Sequence, residues 1–99
     1  MGISTKKSKS TTGRKRITFK FKANPGSTVT VAGNFNDWDS DSKVLKDKGS
    51  TGDYEVTMLL PKGVYEYKFC VDDKWCVDPE NPNFITNAHG TLNSVIEVN

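Results

Sequence analysis

Ninety-nine residues, 34% of them hydrophobic and 26% charged, make one small domain with a single sandwich-sized core and exclude a large enzyme. The 10% aromatic share argues against full disorder, no run of 18 apolar residues spans a membrane, and the N-terminus lacks the apolar stretch of a signal peptide. The net charge of +2 hides an asymmetry, because residues 1–16 hold six of the fourteen bases and no acid, which leaves eight bases against twelve acids, or −4, on residues 17–99.

The basic stretch (Lys6, Lys7, Lys9, Arg14, Lys15, Arg16) has one apolar residue after Met1, Ile3, and is expected to be a disordered tail over residues 1–16. Residues 17–99 are expected to form the folded module, whose negative sign disfavours nucleic acid as a partner. From Ile17 the pattern is that of strands. Ile17, Phe19, Phe21 and Ala23 alternate with Thr18, Lys20 and Lys22, giving one buried face and one wet face. Asn24-Pro25-Gly26-Ser27 is turn chemistry, and Val29 and Val31 mark a second strand that ends at Gly33. A polar loop and a short piece around Val44-Leu45 follow. Tyr54, Val56, Met58 and Leu60 then line one face of another strand. Pro61-Lys62-Gly63 leads into Val64–Val71, where Tyr65, Tyr67, Phe69 and Val71 share a face. Asp72-Asp73 turns the chain into a strand at Trp75–Val77. Residues 78–90 show no sustained pattern and read as loop, and Ser94–Val98 closes the sheet. With no helical run, the expected class is all-β: an immunoglobulin-like antiparallel sandwich of about seven to eight short strands.

Catalytic chemistry has little to work with. The chain has one histidine, His89, no phosphate-binding glycine loop and no nucleophile elbow. Asp37, Asp39 and Asp41 alternate as a calcium loop does, but the glycine and glutamate of an EF-hand are missing, so the stretch reads as a solvated turn. The expectation is no enzyme, no catalytic residue, no metal and no cofactor. Cys70 and Cys76 frame no disulfide scaffold and are expected as reduced thiols in a cytoplasmic protein.

Aromatic placement says more. Trp38 falls in a polar loop, where a core tryptophan is out of place. If Asp72-Asp73 is a two-residue turn, Val71 pairs with Lys74, Cys70 with Trp75, and Phe69 with Cys76. Lys68, Cys70, Trp75 and Val77 then share the outer face, while Tyr67, Phe69, Val71 and Cys76 share the core face. The two thiols point to opposite faces, a poor geometry for a bridge. An exposed indole beside a lysine, with Thr91 and Asn93 just ahead of the last strand, suits a sugar: the C–H face of a pyranose stacks on the ring and its hydroxyls need donors and acceptors.

Taken together, Gly33-Asn34-Phe35-Asn36-Asp37-Trp38, Tyr65-Glu66-Tyr67-Lys68-Phe69 leading to Trp75, Asp78-Pro79, and Gly90-Thr91-Leu92-Asn93-Ser94-Val95 resemble carbohydrate-binding module family 48. That family includes the glycogen-binding domain of the AMP-activated protein kinase beta subunit and the domain ahead of the catalytic barrel in isoamylases and branching enzymes. The resemblance covers residues 17–99. It implies a non-catalytic module for α-1,4-linked glucan (glycogen, starch, maltooligosaccharides), with Trp38 and Trp75 stacking on glucose rings and Lys68, Thr91 and Asn93 hydrogen-bonding. Where the kinase-type module has a leucine before the last motif's glycine, this chain has His89, read either as a stacking or hydrogen-bonding sugar contact or as an exposed loop residue. The usual glycine of the hairpin turn is Asp73 here. A monomer is expected, with neither nucleic acid nor membrane as a partner and a glycogen-metabolism enzyme or kinase as its protein partner. The alternatives are a protein-docking adaptor, or the excised N-terminal domain of a branching or debranching enzyme.

Overall fold

The computed structural model describes residues 13–99, so the expected disorder of the tail lies, for residues 1–12, outside the described residues. Seven strands and no helix make up this part: β1 (Arg14–Lys22), β2 (Val29–Gly33), β3 (Asp53–Pro61), β4 (Gly63–Val71), β5 (Lys74–Cys76), β6 (Phe84–Thr86) and β7 (Leu92–Val98). β1 and β3 form one antiparallel sheet, and β2-β4-β7-β6 form the other, with β5 also on β4. Among the described residues no helix is long and apolar enough to cross a membrane.

The alternation explains the core. Phe19 from β1, Tyr54 and Leu60 from β3, Val29 and Val31 from β2, and Tyr67 and Phe69 from β4 are all buried between the sheets. Their rings meet edge-on or tilted, with Phe19 4.9 Å from Tyr67 and Phe21 4.8 Å from Phe69 between centroids, the arrangement favoured by the aromatic quadrupole. The stretch at Val44–Lys46 crosses between the layers. Leu45 N–H donates to Val29 O on one sheet, Lys46 exchanges two hydrogen bonds with Glu55 on the other, and the Leu45 side chain enters the core.

Two features depart from the sequence pattern. β1 begins at Arg14 rather than Ile17, because Arg14, Lys15 and Arg16 continue the ladder opposite Pro61, Leu60 and Leu59. Backbone pairing needs no apolar side chain, so alternation could not mark these residues. Phe84–Thr86, read as loop, is a short edge strand on β7. Its three residues are exposed, so no burial pattern announced it.

The β4–β5 register is the expected one, with Phe69 opposite Cys76, Cys70 opposite Trp75 and Val71 opposite Lys74. Asp72 and Asp73 both take left-handed backbone angles (φ 48° and 70°), as a two-residue turn of the twisted hairpin type demands. β7 pairs with Gly63–Tyr67 and β5 with Phe69–Val71, on the edge of β4 that β2 leaves free. Two strands therefore succeed one another along one edge, and the changeover falls at Lys68.

Below the changeover, Tyr67 anchors the long β5–β6 connection. Its hydroxyl donates to Asp78 Oδ2 at 2.7 Å and accepts from Asn81 Nδ2 at 3.1 Å. Burial, together with the Asp78 carboxylate, pushes this phenol far above its ordinary value of 10.0. A raised folded-state value means a stabilising contribution that is whole below pH 10 and is lost as the pH climbs above it, where the unfolded chain ionises Tyr67 and the folded one does not. Denaturant titrations between pH 8 and 11.5 should show stability falling above about 10, and Tyr67→Phe should flatten that fall. Asp73→Gly, which removes a left-handed non-glycine residue, should stabilise by about 0.5–1 kcal/mol and raise Tm by roughly 2–8 °C in a thermal melt.

Candidate functional site

The first site element is the loop after β2, and each residue of its motif has a mechanical task. Gly33 lies so close to β4 that a Cβ there would collide with the carbonyl oxygen of Glu66 and come within 2.8 Å of the Phe35 ring. Asn34 N–H donates to Glu66 O at 3.1 Å, and Asn34 Oδ1 accepts from Glu66 N–H at 3.1 Å, so the loop is stitched to β4. Phe35 packs on the core against Phe19 and Tyr65. The Asn36 side chain ties the loop internally, accepting from Gly33 N–H at 3.0 Å and donating to Ser42 Oγ at 3.0 Å. Asp37 and Trp38 then both adopt left-handed angles (φ 56° and 59°). Such a backbone costs an L-residue roughly 1–2 kcal/mol, and here it sets Trp38 at the surface with 37% of its area exposed. The neighbouring acids behave as a turn, with Asp39 Oδ1 accepting from Asp41 N–H at 2.9 Å.

The second element is the outer face of β4 and its two edge partners. Trp75, opposite Cys70, lies on that face with 49% of its area exposed. Asn93 reaches the same face from β7, since its neighbour in the outward series, Val95, pairs with Glu66. The changeover at Lys68 thus puts an indole from β5 and an amide from β7 on either side of the lysine.

The third element is the loop from Asn87 to Thr91. Lys68 Nζ donates to Thr91 Oγ1 at 3.0 Å, and Asn93 Nδ2 donates to Glu66 Oε1 at 3.0 Å. Asn87 bonds Thr91 and Asn93 at once, through Nδ2 to Thr91 Oγ1 (2.8 Å) and to Asn93 Oδ1 (2.9 Å).

These elements enclose one open cleft of about 870 Å³, lined by Trp38, Glu66, Lys68, Trp75, Val77, Asn87, Ala88, His89, Thr91, Leu92 and Asn93. Its volume lies in the range of ligand clefts, roughly 300–1,000 Å³. All six residues singled out from the sequence (Trp38, Lys68, Trp75, His89, Thr91 and Asn93) line it, although they span positions 38 to 93. A shallower concavity of about 500 Å³ by the β4–β5 turn, lined by Phe21, Lys22, Val71, Asp72 and Cys76 among others, holds none of them. A family model describing the glycogen recognition site of AMP-activated protein kinase matches residues 15–99. The chain belongs to that family.

Relatives of this glycogen-recognition module agree with the match. The beta-2 subunit of 5'-AMP-activated protein kinase from Mus musculus is 37% identical over 73 residues, covering 74% of this chain and 26% of that subunit. The Homo sapiens beta-2 subunit is likewise 37% identical, over 74% of this chain and 25% of its own length. The Bos taurus beta-1 subunit is 38% identical over the same shares. The chain spans about a quarter of the length of these relatives.

Sequence reasoning missed the two other polar residues of the cleft, Glu66 and Asn87. Glu66 reads as a wet-face position of an alternating strand, and Asn87 as one more polar loop residue. Only the fold shows that both join the hydrogen-bonded rim. The cysteines are free. Cys70 is outward in register yet buried, and burial together with the Asp73 carboxylate pushes its thiol up; Cys76 is partly exposed. A thiol reagent at pH 8 should therefore label Cys76 before Cys70, read by mass spectrometry of the digested protein; equal rates would show that Cys70 is not shielded.

Proposed function

We propose that this module binds α-1,4-linked glucan of the glycogen type without catalysing a reaction, and that the cleft is where it does so. The observation that carries the reading is the arrangement of two half-exposed indoles and a hydrogen-bonded Lys68–Thr91–Asn93 rim around one open cleft. Indole faces offer apolar area to the C–H faces of glucose rings, and the rim offers donors and acceptors to the hydroxyls. His89 also lines the cleft and is exposed, so its imidazole adds a further contact to the sugar. The cleft is open and its aromatic area small, so affinity falls between micromolar and millimolar, about −4 to −8 kcal/mol.

The binding unit in this reading is the sandwich that begins with β1 at Arg14, and the basic residues near the N-terminus gain little from an uncharged ligand. The relatives are kinase subunits, which supports a second role: docking the module within a kinase or glycogen-metabolism assembly. The free thiols support a cytoplasmic setting.

Titration with maltoheptaose should move the indole resonances of Trp38 and Trp75, whereas a β-linked cello-oligosaccharide should not. Trp75→Ala and Trp38→Ala should each remove most of the binding and leave the fold intact. Phe69→Ala, which empties a fully buried site, should cost about 3–5 kcal/mol of stability in denaturant titrations. Equal responses to α- and β-glucans, or none to either, would overturn the reading.

A further inference from the structure

The rim of the cleft is more ordered than a row of independent polar groups. Asn87 follows β6 directly and uses every hydrogen-bonding position of its amide. Oδ1 accepts the backbone N–H of His89 at 2.9 Å and of Thr91 at 3.2 Å. Nδ2 donates to Thr91 Oγ1 at 2.8 Å and to Asn93 Oδ1 at 2.9 Å. A backbone N–H can only donate, so the Asn87 atom facing His89 and Thr91 must be oxygen, and the amide has one allowed orientation.

That orientation propagates in both directions. Asn93 receives a donor at its Oδ1, so its Nδ2 faces Glu66 and donates to Oε1 at 3.0 Å. On the other side Lys68, an ammonium with donors only, points Nζ at Thr91 Oγ1 from 3.0 Å. Thr91 Oγ1 then accepts from Lys68 and from Asn87 together. Both of its lone pairs are filled, and its own hydrogen is left to be donated elsewhere.

We infer that Asn87 is a positioning residue which fixes the hydrogen-bond polarity of the rim, so that Thr91 meets the sugar as a donor and Glu66 as the acceptor; this rests on the glucan reading of the cleft. Lys68 and Asn93 also keep N–H groups beyond those the rim uses, which makes the face donor-rich. Adjacent hydroxyls of one glucose unit match it: they accept from Thr91, Lys68 and Asn93 and give a hydrogen to the second carboxylate oxygen of Glu66. A ligand whose groups only donate does not.

Asn87→Asp tests this with almost no change of shape. The carboxylate replaces the donor by a second acceptor, takes the Thr91 hydroxyl hydrogen and turns it away from the cleft. Maltoheptaose affinity by calorimetry should fall roughly tenfold in Asn87→Asp and by a similar factor in Thr91→Val, the worth of one hydrogen bond. The double variant should lose no more than the worse single one, because both act through the same hydroxyl. Losses that multiply to about a hundredfold would show independent contributions and overturn the inference. So would an Asn87→Asp variant that binds as tightly as the unaltered protein. Failure of the unaltered protein to bind maltoheptaose overturns the glucan reading, and this inference with it. If the added charge opens the loop, seen as loss of dispersed amide resonances for residues 87–93, Asn87→Ala puts the same question without charge. A retained fold with several-fold weaker binding is then expected, and unchanged affinity overturns the proposal.

Discussion

The pairing of β4 is the constraint on which the rest of the module depends. Its inward residues, Tyr67 and Phe69, fill the centre of the core, while its outward series carries Glu66 and Lys68 into the cleft. A strand's side chains alternate strictly, so a slip of one residue anywhere along β4 would exchange these two sets. Three pairings hold it against such a slip: β2 along one edge, and β7 then β5 along the other. The tight turn at Asp72-Asp73 fixes the last of these, and the two Asn34–Glu66 hydrogen bonds, one backbone and one through the Asn34 side chain, extend the first beyond the end of β2. Core and cleft are therefore two readings of one register.

Rigidity at the cleft follows from the same construction. Trp38 is held at the surface by a loop whose strained left-handed pair is over-determined by Asn36, Gly33 and Phe35. Strained backbone persists only where its surroundings fix it in this way. The polar rim is likewise held in place by its own hydrogen bonds before any ligand arrives. A shallow binder has few contacts, and ordering each of them in advance lowers the entropy lost on binding.

The legibility of the sequence follows physical lines. Alternation over Ile17–Ala23, Tyr54–Leu60 and Tyr65–Val71 declared strands because each buries one face. The hairpin register followed from a two-residue turn, whose parity settles which side chains share a face. Trp38 and Trp75 stood out as large apolar groups in polar surroundings. What stayed hidden lacked side-chain burial or local signal. Phe84–Thr86 is held by backbone bonds to β7 and exposes all three side chains. Asn87 is an asparagine among asparagines; its four side-chain bonds close a short loop onto His89, Thr91 and Asn93, and they become part of the cleft only where Thr91 and Asn93 meet Lys68 and Glu66 of β4.

The pairing of β1 with β3 alone among the described residues has a consequence for how the protein behaves in a crowded solution. The other edge of this nine-residue strand presents backbone groups that any extended chain can pair with. Arg14, Lys15, Arg16, Lys20 and Lys22 line the strand, all exposed, so an approaching copy brings like charge against like before any ladder can form. The guard is electrostatic, and it weakens with ionic strength as the Debye length shrinks from about 10 Å at 0.1 M to about 3 Å at 1 M. Colloidal stability of this module is therefore a property of its basic strand rather than of its small net charge.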